Sequence, residues 1–122
     1  MTPNELRDDC KAAILKVRAE GVTVGPQHFG NFKIQNGRVL WLSANKICCA
    51  LGAMVLVNPP PIEGEATSKE AVEVLVKNLG IDGPDSTTFM RGFDQGGRHM
   101  CHTWAWYYAG MEVAQWLETT RG

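Results

Sequence analysis

Apolar positions along this chain keep two rhythms. Leu6, Cys10, Ala13, Ile14 and Val17 recur at helical spacing with Asp8, Asp9, Lys16 and Arg18 between them, which predicts an amphipathic helix with one buried stripe. Thr2-Pro3-Asn4-Glu5 supplies its start: an N-cap, a proline at the first helical position and a glutamate completing a capping box. Gly21 ends it. Cys10 therefore reads as a small core residue. A second capping box, Thr67-Ser68-Lys69-Glu70, precedes Ala71, Val72, Leu75, Val76 and Leu79 at the same spacing, with Gly80 as the stop, and this helix reads as purely structural.

The other rhythm has a period of two. Phe32-Lys33-Ile34-Gln35 and Arg38-Val39-Leu40-Trp41-Leu42 flank Asn36-Gly37, a pair that readily takes the positive dihedrals of a type I′ turn. That turn pairs Gln35 with Arg38, Ile34 with Val39 and Phe32 with Trp41, placing two apolar cross-strand pairs on one face. The run from Ile47 to Val57, ICCALGAMVLV, has eleven apolar or small residues in succession. Its length favours a helix over a strand, with Ser43 or Asn45 as cap and Asn58-Pro59 as stop. Being apolar on every side, it is expected to be the central buried helix and to cover the hairpin. Cys49, Gly52, Ala53 and Leu56 would form a low stripe along it.

A short helix from about Ser86 should carry Phe89, Met90 and Phe93 and end near Asp94-Gln95-Gly96-Gly97. The last helix, from Thr103 to about Glu118, bears Trp104, Trp106, Tyr107, Tyr108, Met111, Val113, Trp116 and Leu117, too wide an apolar face for a simple surface helix. The expected fold class is α+β and mostly helical, with about five helices around the central one and one β-hairpin, in a single domain over residues 1–122.

Charge adds mainly exclusions. Twelve basic and thirteen acidic side chains leave a net charge of −1, so nothing draws the chain to phosphate backbones, and nucleic acid is not an expected partner. No apolar run reaches the roughly 18 residues of a membrane span, and Met1 leads into polar residues rather than a basic and apolar leader, so a soluble cytoplasmic chain is expected. The four cysteines are Cys10, Cys48, Cys49 and Cys101. Their placement, two of them adjacent inside an apolar run, suits free thiols in a reducing compartment.

Three features could carry chemistry. The first is Cys48-Cys49 in the opening turns of the apolar helix, where the positive end of the helix dipole favours thiolate, with His99 or His102 available as base. A cysteine opening a buried helix with a downstream histidine resembles papain-type cysteine peptidases and amidases. CCALGAMVL is similar to the cysteine helix of the bacteriocin-processing peptidases, whose pattern is Cys-Gly-x-Ala-x-Leu. Here Cys49 stands where that pattern has glycine, and no glutamine precedes Cys48 at the spacing of an oxyanion donor. The competing reading is two small core residues, since free cysteine is among the most buried residue types.

The second feature is His99, Cys101 and His102, the right donors for zinc but poorly spaced. Adjacent ligands such as Cys101 and His102 rarely both reach one ion, so no metal and no cofactor is expected. The third is the loop Asp94-Gln95-Gly96-Gly97-Arg98-His99 entering the tryptophan-rich helix. Asp94, Arg98, His99, Trp104 and Trp106 are the candidate ligand-binding residues, because aromatic walls with a few convergent polar groups make small-molecule pockets. Against this, aromatic residues at helical spacing usually fill a core, here against Phe32, Trp41, Phe89 and Phe93. Gly110 in mid-helix signals either close packing or space for something bound.

ICCALGA after an Asn-Gly hairpin, followed by FMRGFDQGG and a tryptophan-bearing last helix, resembles a family of small uncharacterised bacterial and phage proteins that share Cys-Ala-Leu-Gly-Ala and a Gly-Phe-Asp turn. The resemblance implies no activity and transfers no catalytic residue. The expected function is a non-enzymatic binding or interaction protein, a homodimer being one assembly the sequence allows. Its partner would be a protein or small molecule contacting Asp94 to Trp106 and the exposed part of the last helix. The alternative is a cysteine-dependent hydrolase or transferase using Cys48 or Cys49 with His99 or His102.

Overall fold

The computed structural model describes residues 1–26, 29–96 and 104–120. Along these the order is α1 (Pro3–Ala19), β1 (Thr23–Val24), β2 (Phe32–Gln35), β3 (Arg38–Trp41), β4 (Ile47–Cys48), α2 (Ala50–Val57), β5 (Glu65–Thr67), α3 (Ser68–Asn78), α4 (Gly83–Gln95) and α5 (Ala105–Thr119). The fold is α+β and mostly helical, with five helices and a few short strands.

Local chemistry accounts for most of these boundaries. The Thr2 hydroxyl accepts from the Glu5 amide while the Glu5 carboxylate accepts from the Thr2 amide, and Thr67 and Glu70 repeat the arrangement at α3. All five stripe residues of α1 are buried. Asn36 and Gly37 both take positive φ, 51° and 79°, as a type I′ turn requires, and the register pairs Gln35 with Arg38, Ile34 with Val39 and Phe32 with Trp41. The Phe32 and Trp41 rings meet edge to face at 5.4 Å.

The apolar run departs from the expected single helix. Ile47 and Cys48 form strand β4, parallel to Thr23 and Val24 of β1, and the helix begins only at Ala50. Neither Ser43 nor Asn45 caps it. Cys49, in extended conformation, is the N-cap, its sulfur accepting from the Gly52 amide at 3.3 Å. Hydrophobic periodicity cannot separate a buried strand from a buried helix, and here the backbone groups of residues 47 and 48 pair with a strand the sequence pattern did not announce. Within the stripe, Gly52 admits the close approach of a neighbour, the Phe29 carbonyl, since an added Cβ would lie 2.0 Å from that oxygen.

α2 is nonetheless central, packing on α1, α3 and α4. The hairpin leans on α3 rather than on α2, because β5 joins β2 antiparallel on the side away from β3 and runs straight into α3. Ser68 at the start of α3 donates to the Gly30 carbonyl at 2.7 Å, fixing that junction. α4 starts at Gly83, earlier than Ser86, with Asp82 as its N-cap residue and Pro84 in the first turn.

α4 and α5 pack more intimately than any other pair. Gly92 of α4 sits against the Tyr107 carbonyl and Gly110 of α5 against the Phe89 carbonyl; Cβ atoms added there would lie 2.0 Å and 1.9 Å from those oxygens. Gly110 therefore serves close packing and leaves no space for a ligand. Because the backbones touch, the tryptophans do not lie between them, and the expectation that they fill the core holds only in part: Trp106 and Trp116 pack against its margin and Trp104 does not. Trp104 is 62% exposed, Trp106 and Trp116 are half-buried at the margin, and Tyr107, Ala109, Gly110, Met111, Val113 and Leu117 are the buried residues of α5. The Arg7 guanidinium to Glu112 at 2.7 Å, and Arg18 to Thr120 at 3.0 Å, join α1 to α5.

Candidate functional site

α3 and α4 are joined by the turn at residues 79–82 and diverge from it. The Ile81 amide donates to the Val76 carbonyl at 3.1 Å, and Gly80 takes φ 73°, which sets the angle of the turn. Divergence leaves a groove of about 610 Å³ between the two helices. Leu51, Val72, Val76 and Met90 give it an apolar floor with Phe29 at the side, while Lys69 and Glu73 of α3 face Thr87, Arg91 and Asp94 of α4. Capping explains the positions on α3: the box at Thr67 and Glu70 fixes the phase of the helix, which turns Val72 and Val76 inward and leaves Lys69 and Glu73 on the rim.

Phe29 is held by its backbone. Its carbonyl accepts from the Cys49 amide at 3.4 Å and lies against Gly52, so the start of α2 and the edge of the groove are one unit. At the far end, the buried Tyr107 hydroxyl donates to Gln95 Oε1 at 2.7 Å. This bond ties the end of α4, with its groove residues Asp94 and Gln95, to the start of α5, where Trp104 is exposed.

Neither Cys48 nor Cys49 lines this groove. Cys48 and Cys49 are fully buried, as is Cys10, whose sulfur is 3.4 Å from the Met54 sulfur. Burial pushes the Cys48 thiol up to about 12, with the neighbouring Cys49 adding to the effect. It pushes Cys49 up to about 11; hydrogen bonds from the Gly52 and Leu51 amides oppose the rise, and the Asp94 carboxylate reinforces it. Near neutral pH both are protonated thiols without solvent access, the opposite of an activated nucleophile. The helix dipole is present, since Cys49 is the N-cap of α2, but desolvation outweighs it.

Of the residues singled out by sequence, the structure places Asp94 in the groove wall, Trp104 on the surface at the start of α5 and Trp106 half-buried beside it. Arg98, His99, Cys101 and His102 lie outside the described residues. Among the described residues no group of three histidine, cysteine or acidic side chains is disposed to hold a metal, and no helix is long and apolar enough to cross a membrane.

Sequence reasoning missed Lys69, Glu73, Thr87 and Arg91. They flank the apolar stripes of α3 and α4, where helix-surface residues are ordinarily solvated. The available signal was the pair of short helices joined by Gly80-Ile81-Asp82-Gly83, a turn that brings two such flanks face to face. Comparison with family models, with curated proteins and with solved structures finds no match to this chain.

Proposed function

We propose that this chain is a non-enzymatic binding protein and that the groove between α3 and α4 receives a small-molecule ligand. The observation that carries the reading is the groove itself: about 610 Å³, within the ~300–1,000 Å³ range of small-molecule sites, with an apolar floor and a few polar groups converging from two walls. Its supports are closely packed. α2 and Phe29 back one side through the close approach at Gly52, and α5 fixes α4 through Gly92 and Gly110. Asp94, a candidate ligand residue from the sequence, stands at the mouth, at the same end of α4 as Trp104. Among the described residues nothing favours the cysteine-enzyme alternative: both thiols are buried, and burial raises both above their ordinary range.

A thermal-unfolding screen against small amphiphilic metabolites tests this. A ligand at 100 times its Kd stabilises the native state by about 2.7 kcal/mol, enough to raise Tm by several degrees. The expected result is a hit whose shift is abolished by Thr87→Trp, which fills the groove from its exposed wall. No hit in a broad screen, or a hit that Thr87→Trp leaves intact, would overturn the proposal.

A further inference from the structure

The rim of the groove is electrically uneven along its length. Lys69 lies nine residues before the end of α3 at Asn78, and Arg91 eight residues after the start of α4 at Gly83. At 1.5 Å per residue both therefore stand about 12–14 Å from the shared turn, facing the groove from opposite walls. Glu73 is one turn closer to the apex, beside Val76 and Ser86, and Asp94 is one turn farther out. Among the described residues neither Lys69 nor Arg91 has a carboxylate within 4 Å, although both are on the surface. Asp94 already has an interaction of its own. Two cations without a carboxylate partner among the described residues thus stand at a similar distance from the turn, one on each wall of a groove floored by Leu51, Val72, Val76 and Met90.

We propose that the groove is selective for an anionic amphiphile, its carboxylate or other anionic head held between Lys69 and Arg91 and its apolar body laid toward the turn on Val72, Val76 and Met90. This rests on the groove being a ligand site and goes further in naming the ligand's chemistry. The direction follows from the inner end, which offers apolar side chains with Glu73 at the rim, whereas both cations stand toward the mouth and the Asp94 carboxylate beyond them is already engaged in an interaction of its own. Arg91 can grip a carboxylate through two parallel N–H groups and Lys69 supplies a point charge, so the two are complementary rather than redundant.

Isothermal titration of the intact chain with three chain-matched probes, decanoate, decanol and decyltrimethylammonium, tests the inference. Decanoate is expected to bind at least tenfold more tightly than either of the others. Lys69→Gln with Arg91→Gln should bring decanoate affinity down to that of decanol measured on the same variant, and both sites are exposed, so folding is retained. Decanol binding as tightly as decanoate would overturn the anionic preference and leave the groove reading standing. Tighter binding of decyltrimethylammonium would overturn it in favour of the carboxylates Glu73 and Asp94. Failure of all three probes to bind would overturn both readings. A decanoate preference that survives the double substitution would remove Lys69 and Arg91 from the head-group site.

Discussion

The two sides of α4 are built in opposite ways. Toward α5 the helix is stripped to glycine: Gly92 meets the Tyr107 carbonyl, Gly110 meets the Phe89 carbonyl, and the backbones touch. Toward α3 the same helix carries Thr87, Met90, Arg91 and Asp94, and a short turn holds its neighbour away. Close packing on one side keeps α4 fixed while the other side stays open. A groove between two helices is useful only when at least one of them cannot collapse into it, and the seam with α5 supplies that resistance.

The largest way to break this contrast is Gly110→Ala or Gly92→Ala. Neither carbonyl can move without shifting its whole helix, so each substitution should cost about 3 kcal/mol or more, at the upper end of overpacking effects, and lower the urea midpoint accordingly. Gly83→Ala, at the start of α4 where an added Cβ meets nothing within 4 Å, should be neutral or stabilising by up to about 1 kcal/mol. Equal effects at Gly83 and Gly110 would contradict the seam.

A smaller effect separates the groove from the buried thiols. Cys48 and Cys49 titrate at about 12 and about 11 in the fold, against an ordinary value of 9.0. With the folded values raised, the stability they contribute is fully present below about pH 9 and is lost as pH rises toward 11 and 12. Urea midpoints between pH 8 and 11 should therefore fall more steeply in the native chain than in a Cys48→Ala, Cys49→Ala variant. Parallel slopes would mean that water in the groove reaches the thiols. Smallest of all, Thr87→Ala and Arg91→Gln on the open side should change stability by no more than about 0.5 kcal/mol.

The sequence carried a great deal of this fold, and the reasons differ by element. Both capping boxes, the stripe of α1 and the register of the hairpin are local, set by residues within a few positions of one another, so pattern and turn chemistry sufficed. β1, β4 and β5 are two or three residues each and exist only through distant partners. Gly110 was legible as an anomaly, but its partner Phe89 lies on another helix. The site was less legible still. Asp94 was found from its own neighbourhood, whereas Lys69, Glu73 and Arg91 acquire meaning only when α3 and α4 diverge. RHMCHTWAW drew attention by residue type; of it, Trp104 proves to be exposed and Trp106 half-buried, and residues 98–103 lie outside the described part of the chain.

On this reading α4 is sealed on one side and receptive on the other. Carbon-13 methyl spectra of the chain during titration with decanoate test it directly, because reporters stand on both sides. Saturating shifts are expected at Leu51, Val72, Val76 and Met90 and none at Ala109, Met111 and Val113 of α5. Shifts confined to the α5 reporters, or spread evenly over both sets, would contradict it.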